Sequence, residues 1–230
     1  MPDSVHIAIL DDHQSVVDGY CFRLGSHPGF EIVGTLHYGD ELEPFLEQNP
    51  TDVLILDVNV PTAPRNANPY PILHLMRRLL DQYPDLNILV ISMHNQRTLI
   101  QAVMDAGASG YIVKDDCDAI RELDTIVSSI AKSGVYFSQQ ALQQLAKRLP
   151  EGDGSPQLTP RQLEVLSLCA AFPGNTTSEL ARQLGIEHST VRNILSSIYL
   201  RLGVSNRAAA LAKARQEGII TANLDPPEDL

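Results

Sequence analysis

Val53-Leu54-Ile55-Leu56-Asp57, within TDVLILDVNVP (51–61), is a run of four apolar side chains that ends on a carboxylate. Three other segments repeat the design. Ile7-Ala8-Ile9-Leu10 runs into Asp11-Asp12, Ile88-Leu89-Val90-Ile91 ends on Ser92, and Gly110-Tyr111-Ile112-Val113 ends on Lys114. Short continuous apolar runs suit strands buried on both faces, the condition of a parallel sheet covered by helices. Placed side by side in such a sheet, the runs deliver three carboxylates, a hydroxyl and an ammonium to its carboxyl edge, where α/β folds bind ligands. A carboxylate accepts a phosphoryl group when a cation screens its charge. Mg²⁺, which takes a few carboxylate oxygens with water and phosphate, suits Asp12 and Asp57, with Asp11 assisting through water.

The rest of the first half supports that sheet. Strands are expected near 5–10, 30–36, 53–57, 87–92 and 109–113, and helices near 14–25, 39–48, 71–82, 96–106 and 117–132. Five β-α units predict a flavodoxin-like, doubly wound parallel sheet over residues 1–132. From 133 to 157 the pattern changes: SQQALQQLAKRL (138–149) allows a short helix, and PEGDGSPQ (150–157) reads as a linker.

Residues 158–220 read as helices alone. Thr159-Pro160-Arg161-Gln162 carries an N-cap, a first-turn proline and a capping-box glutamine. Thr176 to Glu179 repeats the box, and Gly185 ends that helix. A third helix is expected from about Glu187 to Arg201, and a fourth from Ser205 to about Glu217. Residues 221–230 form an acidic, Pro-rich tail, expected to fray.

The net charge of -11 is unevenly spread. Residues 1–150 hold 10 Lys and Arg against 19 Asp and Glu, whereas 155–220 hold 7 against 4, so only the second half suits a polyanion. Three widely separated cysteines without metal spacing fit a reduced cytoplasmic setting. The start lacks the features of a signal peptide, and no stretch approaches the ~20 apolar residues of a membrane span.

Residues 5–132 resemble the receiver domain of two-component response regulators. The likeness rests on Asp11-Asp12, on Asp57 in LDVNVP, on Ser92 in VISMH and on Lys114 in DAGASGYIVKD. It implies that Asp57 is the phosphoacceptor, that Asp12, Asp57 and the backbone carbonyl of Asn59 bind Mg²⁺, and that Asp11 helps. It further implies that Ser92 follows the phosphate, with Lys114 pairing to it, and that Tyr111 is the switch aromatic. The loop VPTAPRNANPYPI (60–72) departs from the family, being longer and holding four prolines. Beside Asp57, it is expected either to restrict the donor or slow dephosphorylation, or to be a benign surface insertion.

In the second half, Val191, Ile194, Leu195, Ile198 and Leu202 form an inward stripe on the third helix, opposite Ser189, Arg192, Asn193 and Ser196. Arg reaches guanine edges or phosphates and Asn pairs with adenine, as a recognition helix in the major groove requires. LTPRQLEVLSL and SELARQLGIEHSTVRNILSSIYLRLGVSNRAAAL are similar to the four-helix LuxR/FixJ-type DNA-binding domain. That likeness implies base or backbone contacts for Arg192, Asn193 and Ser196, phosphate contacts for Arg201 and Arg207, and dimerisation through the small residues of the fourth helix. Ile194 and Ser196 stand where the family favours His and Lys, so the surface is less basic than usual.

The whole chain is therefore identified as a NarL/FixJ-type regulator. A sensor histidine kinase would phosphorylate Asp57, and the change would control dimerisation and DNA binding. One alternative keeps the fold but makes DNA binding independent of phosphorylation. A Mg²⁺-dependent aspartyl-phosphate phosphohydrolase is the distant rival, disfavoured because Asp11-Asp12-His13 lacks the second Asp two residues after the nucleophile.

Overall fold

The computed structural model describes residues 4–146 and 158–220. In chain order its elements are β1 (Val5–Leu10), α1 (Gln14–Leu24), β2 (Phe30–Leu36), a short 3-10 turn (Gly39–Glu41), α2 (Leu42–Gln48), β3 (Val53–Leu56), β4 (Pro61–Ala63) and β5 (Asn66–Pro69). Next come α3 (Ile72–Gln82), β6 (Asn87–Ser92), α4 (Arg97–Asp105), β7 (Gly110–Val113), α5 (Cys117–Arg121), α6 (Leu123–Ser133), β8 (Tyr136–Phe137) and α7 (Gln139–Ala146). The second half holds α8 (Pro160–Ala171), α9 (Thr177–Leu184), α10 (His188–Leu202) and α11 (Arg207–Gln216).

The main sheet runs β2-β1-β3-β6-β7-β8, all parallel. Strand alternation divides its core cleanly. Ile7, Ile9, Ile55 and Ile91 face α1 and α6, packing on Val17, Leu24, Leu123 and Val127. Ala8, Leu10, Leu56 and Val90 face the other way, against Leu75, Met76 and Val103 of α3 and α4. The order of strands reverses at β1, so the ends of β1 and β3 flank the crevice where doubly wound sheets place their chemistry.

Three elements differ from the sequence reading. The helix expected over 117–132 breaks at Glu122, whose φ of -95 and ψ of 21 leave the helical range. The proline-rich segment 60–72 holds a two-stranded antiparallel hairpin, β4–β5, in place of a plain loop. Tyr70 anchors its foot on Gly39, where an added Cβ would meet the ring at 2.0 Å. The segment after residue 132, read as linker with a possible short helix, supplies a sixth strand before that helix. Phe137 is fully buried, Val113 N–H reaches Ser138 Oγ at 3.4 Å, and Gln140 N–H donates to Asp116. The linker's later part, 150–157, and the tail 221–230 lie outside the described residues.

In the second half both capping boxes form, at Thr159 with Gln162 and at Thr176 with Glu179. Gly185 and Gly203 end α9 and α10 at φ 62 and 63, a left-handed conformation costly for any residue with a Cβ. Val191, Leu195, Ile198, Tyr199 and Leu202 bury one face of α10. On α11, Ala210, Leu211 and Ala214 are consumed by the same core, leaving Ala208 and Ala212 outward.

Candidate phosphoacceptor and DNA-reading sites

The ends of β1, β3, β6 and β7 converge as the parallel register requires. Asp57 N–H donates to Leu10 O at 2.9 Å, and Lys114 N–H to Ser92 O at 2.9 Å. Asp11 and Asp57 are buried, at 2% and 5% exposure. Lys114 Nζ bridges them, 2.7 Å from Asp11 Oδ2 and 2.6 Å from Asp57 Oδ2. Burial disfavours the Lys114 charge, yet the two carboxylate bonds outweigh it and hold the pKa above its ordinary value. Asp12 stays exposed, and Asn59 N–H donates to Asp57 Oδ1 at 3.2 Å, folding the chain back over that carboxylate.

Ser92 is buried at the end of β6, and His94 N–H reaches its Oγ at 3.4 Å. Tyr111 points fully inward, donating its hydroxyl to His94 O at 2.5 Å. Burial, with the Asp57 charge adding to it, pushes the Tyr111 phenol up to about 12. Tyr20 is shifted upward by the same two causes, with Asp11 contributing as well. Both phenols are therefore neutral at neutral pH, and Tyr111 acts as a donor. The structure thus brings together Asp11, Asp57, Ser92, Lys114 and Tyr111, with Asp12 and Asn59 at the rim.

The residues expected to read DNA are placed differently. Arg192 is 1% exposed, and its guanidinium is turned into the receiver half. It donates to Leu86 O at 2.8 Å and to Gly107 O at 3.3 Å. Burial lowers its pKa to about 10, against a pull upward from Asp85. Ser196 is buried and donates to Arg192 O at 2.8 Å. Asn193, though exposed, faces Gln101, Met104 and Asp105 of α4 across a cavity of about 290 Å³. Ser189 is half-buried and Arg201 exposed. Arg207, expected at a phosphate, is buried and donates to Asn175 O at 2.6 Å. Its position at the start of α11 directs it into the α8–α9 connection, so its role there is to hold that connection.

The docking continues beside Arg192. Ser178 donates to Asp85, and the His188 ring meets Pro84 O through Nδ1 and Thr177 Oγ1 through Nε2 at 2.5 Å. Burial, then the Arg192 charge, push His188 down to about 4, opposed by Pro84 O and Asp85. A docked His188 therefore binds its proton more weakly than a free one. Docking should be at full strength above the ordinary value of 6.5 and weaken as the pH falls from there toward 4. Labels on the two halves read by energy transfer would report it. Transfer that stays level from pH 7 to pH 4.5 would show that His188 takes no part.

Comparison with known families agrees with this geometry. A model described as the response regulator receiver domain matches residues 7–126, and one described as bacterial regulatory proteins of the luxR family matches residues 156–214. The chain belongs to the response regulators. Among its relatives this regulator is 29% identical to the transcriptional regulatory protein DegU of Brevibacillus brevis, over 94% of its own length and 95% of the relative's. It is 24% identical to the response regulator UvrY of Escherichia coli K12, over 95% and 97%. Of solved structures, the RcsB response regulator of Salmonella typhimurium matches 95% of this chain and 100% of its own, at 25% identity and a TM-score of 0.56. A structure of two RcsB dimers bound to two parallel DNAs matches 92% and 98%, again at 25% identity and a TM-score of 0.56.

The regulator is thus a DNA-binding transcriptional response regulator with a six-stranded receiver sheet and a LuxR-type helical domain. Among the described residues no helix is long and apolar enough to cross a membrane. Asp11, Asp12, His13 and Asp57 each offer a donor atom within 4.8 Å of the others, so three carboxylates stand ready for a hard divalent cation. Sequence reasoning gave His13 no place in this cluster, where the structure sets its ring beside Asp12. It also passed over Asp85, Ser178 and His188. Their roles arise from the docking of two halves, which no local pattern encodes.

Proposed function

We propose that Asp57 takes a phosphoryl group from a sensor histidine kinase in the cytoplasm and that this controls access of α10 to DNA. The acceptor oxygen attacks the donor phosphorus; the new O–P bond forms as the N–P bond of the phosphohistidine breaks and the imidazole leaves. Asp12, Asp57 and the Asn59 carbonyl, with Asp11 assisting, would hold Mg²⁺, which would supply charge neutralisation for that transfer. Lys114 pairs with the acyl phosphate, and Ser92 donates a hydrogen bond to one of its oxygens.

The observation that carries the reading is the double engagement of β6 and α4. Ser92 ends β6, and Leu86, just before its start, holds Arg192. Tyr111 bonds the His94 carbonyl before α4, and Gly107 just beyond α4 holds Arg192 again. Movement of Ser92 and Tyr111 toward a phosphoryl group would shift both carbonyls that grip the recognition helix. That is a population shift from a docked, DNA-silent state to one that dimerises, with Ala208 and Ala212 of α11 available for close approach. Arg192, Asn193, Ser196 and Ser189 then meet bases and backbone, with Arg201 at a phosphate.

The test uses Mg²⁺ and acetyl phosphate with the full chain. Mass spectrometry should show one added phosphate, absent in Asp57→Asn, and the labelled protein should bind DNA more tightly than the unlabelled one. Equal labelling of Asp57→Asn would sink the acceptor assignment. Equal DNA affinity with and without the phosphate would favour the phosphorylation-independent reading, for which the β4–β5 hairpin beside the acceptor strand is the motivating feature.

A further inference from the structure

His13 stands out within the acidic centre because it is a nitrogen donor among carboxylates. It occupies the N-cap position of α1, but its ring makes no bond to the helix. Its Nδ1 lies 2.8 Å from Asp12 Oδ1 and 3.4 Å from Asp11 Oδ1. Lys114 takes the opposite oxygens, Asp11 Oδ2 and Asp57 Oδ2. The backbone keeps the ring there, since His13 N–H donates to Asp11 Oδ1 at 3.0 Å. The imidazole thus occupies the side of the cluster that the ammonium leaves, and at 63% exposure it is open to solvent.

We propose that His13 supplies a nitrogen ligand to the divalent cation at this centre and biases the site toward Mn²⁺ and Co²⁺ relative to an all-oxygen site. This inference rests on reading the cluster as a metal centre. Mg²⁺ holds its water tightly and gains little from a nitrogen donor, whereas imidazole suits the later first-row ions, whose affinities rise along the series. Mg²⁺ remains supported by the three carboxylates, so the role of His13 is selectivity.

The test is metal binding by the full chain, with Mn²⁺ titrated by electron paramagnetic resonance and Co²⁺ and Mg²⁺ by calorimetry. In the parent, pulsed spectra of bound Mn²⁺ should carry an imidazole ¹⁴N coupling that disappears in His13→Ala and in His13→Gln. Both variants should bind Mn²⁺ and Co²⁺ about tenfold more weakly, with Mg²⁺ affinity nearly unchanged. Absence of the ¹⁴N coupling in the parent would overturn the proposal. So would an equal loss for Mg²⁺ and Mn²⁺, which would mean that His13 acts only by orienting the carboxylates. Asp12→Asn separates the two levels of the argument. If it leaves Mn²⁺ binding intact, the metal-centre reading itself fails. If it abolishes binding while His13→Ala does nothing, only the nitrogen ligand is lost.

Discussion

Asp85→Lys should raise the DNA affinity of the unphosphorylated regulator about tenfold, the equivalent of ~1.4 kcal/mol, and leave little further gain on phosphorylation. Asp85 is exposed on the α3–β6 connection, so the receiver core does not depend on it. Its carboxylate accepts from Ser178 and is a nearby negative charge for both His188 and Arg192. Lysine there removes a charge-assisted hydrogen bond, worth about 1.5–3 kcal/mol. It also sets a like charge before a buried guanidinium, a juxtaposition that costs several kcal/mol. The side chains that would meet DNA are untouched, so the gain reflects release alone. Anisotropy titration of labelled duplex, at matched salt, provides the measurement. Unchanged affinity would mean that the docked arrangement does not limit DNA binding.

The chemistry of Arg192 explains why such a small change would suffice. Its guanidinium is almost wholly buried but is bonded to two backbone carbonyls and to no carboxylate. Desolvating a cation is costly when no carboxylate bonds it directly, and here Asp85 acts only as a nearby charge. Phosphates and guanine edges offer Arg192 better partners than Leu86 O and Gly107 O do. The docked state is therefore poised, and a modest rearrangement at either end of β6 can tip it. Under the proposed function, one side chain would serve as lock in the silent state and as reader in the active one.

How far the sequence discloses all this follows from where each feature's information lies. Val53 to Leu56 or Ile88 to Ile91 must be strands buried on both faces, because four consecutive apolar side chains have no solvent side to show. The five strand-end residues follow from that, and so does the acceptor edge. Strand β8 escapes the pattern because two residues, Tyr136 and Phe137, are too few for any period. The hairpin escapes it because prolines at 61 and 69 argue against strands except at an edge, which is where both lie. The inward turn of Arg192 escapes it for a different reason. On an isolated helix Arg192 belongs to the polar face, and only the presence of the receiver makes that face a buried one.

Lys114→Ala should lower the stability of the receiver by about 3 kcal/mol without divalent cation, a loss that millimolar Mg²⁺ largely restores. Asp11, Asp57 and Lys114 form a three-membered ionic group in which no side chain exceeds 9% exposure. Removing one partner of a buried ion pair typically costs 3–5 kcal/mol, because the charge left behind has neither water nor counter-ion. Here two carboxylates are left, with Asp12 a third at the rim, and their mutual repulsion adds to the cost. A cation that binds only the folded site stabilises by RT ln(1 + [L]/Kd), so Mg²⁺ should rescue the variant more than the parent, whose ammonium already supplies a positive charge. Urea denaturation with EDTA and with Mg²⁺ reads both terms. A variant as stable as the parent in EDTA would show that Lys114 is not the charge that holds these carboxylates together. A loss that Mg²⁺ fails to restore would show that the cluster does not bind the cation.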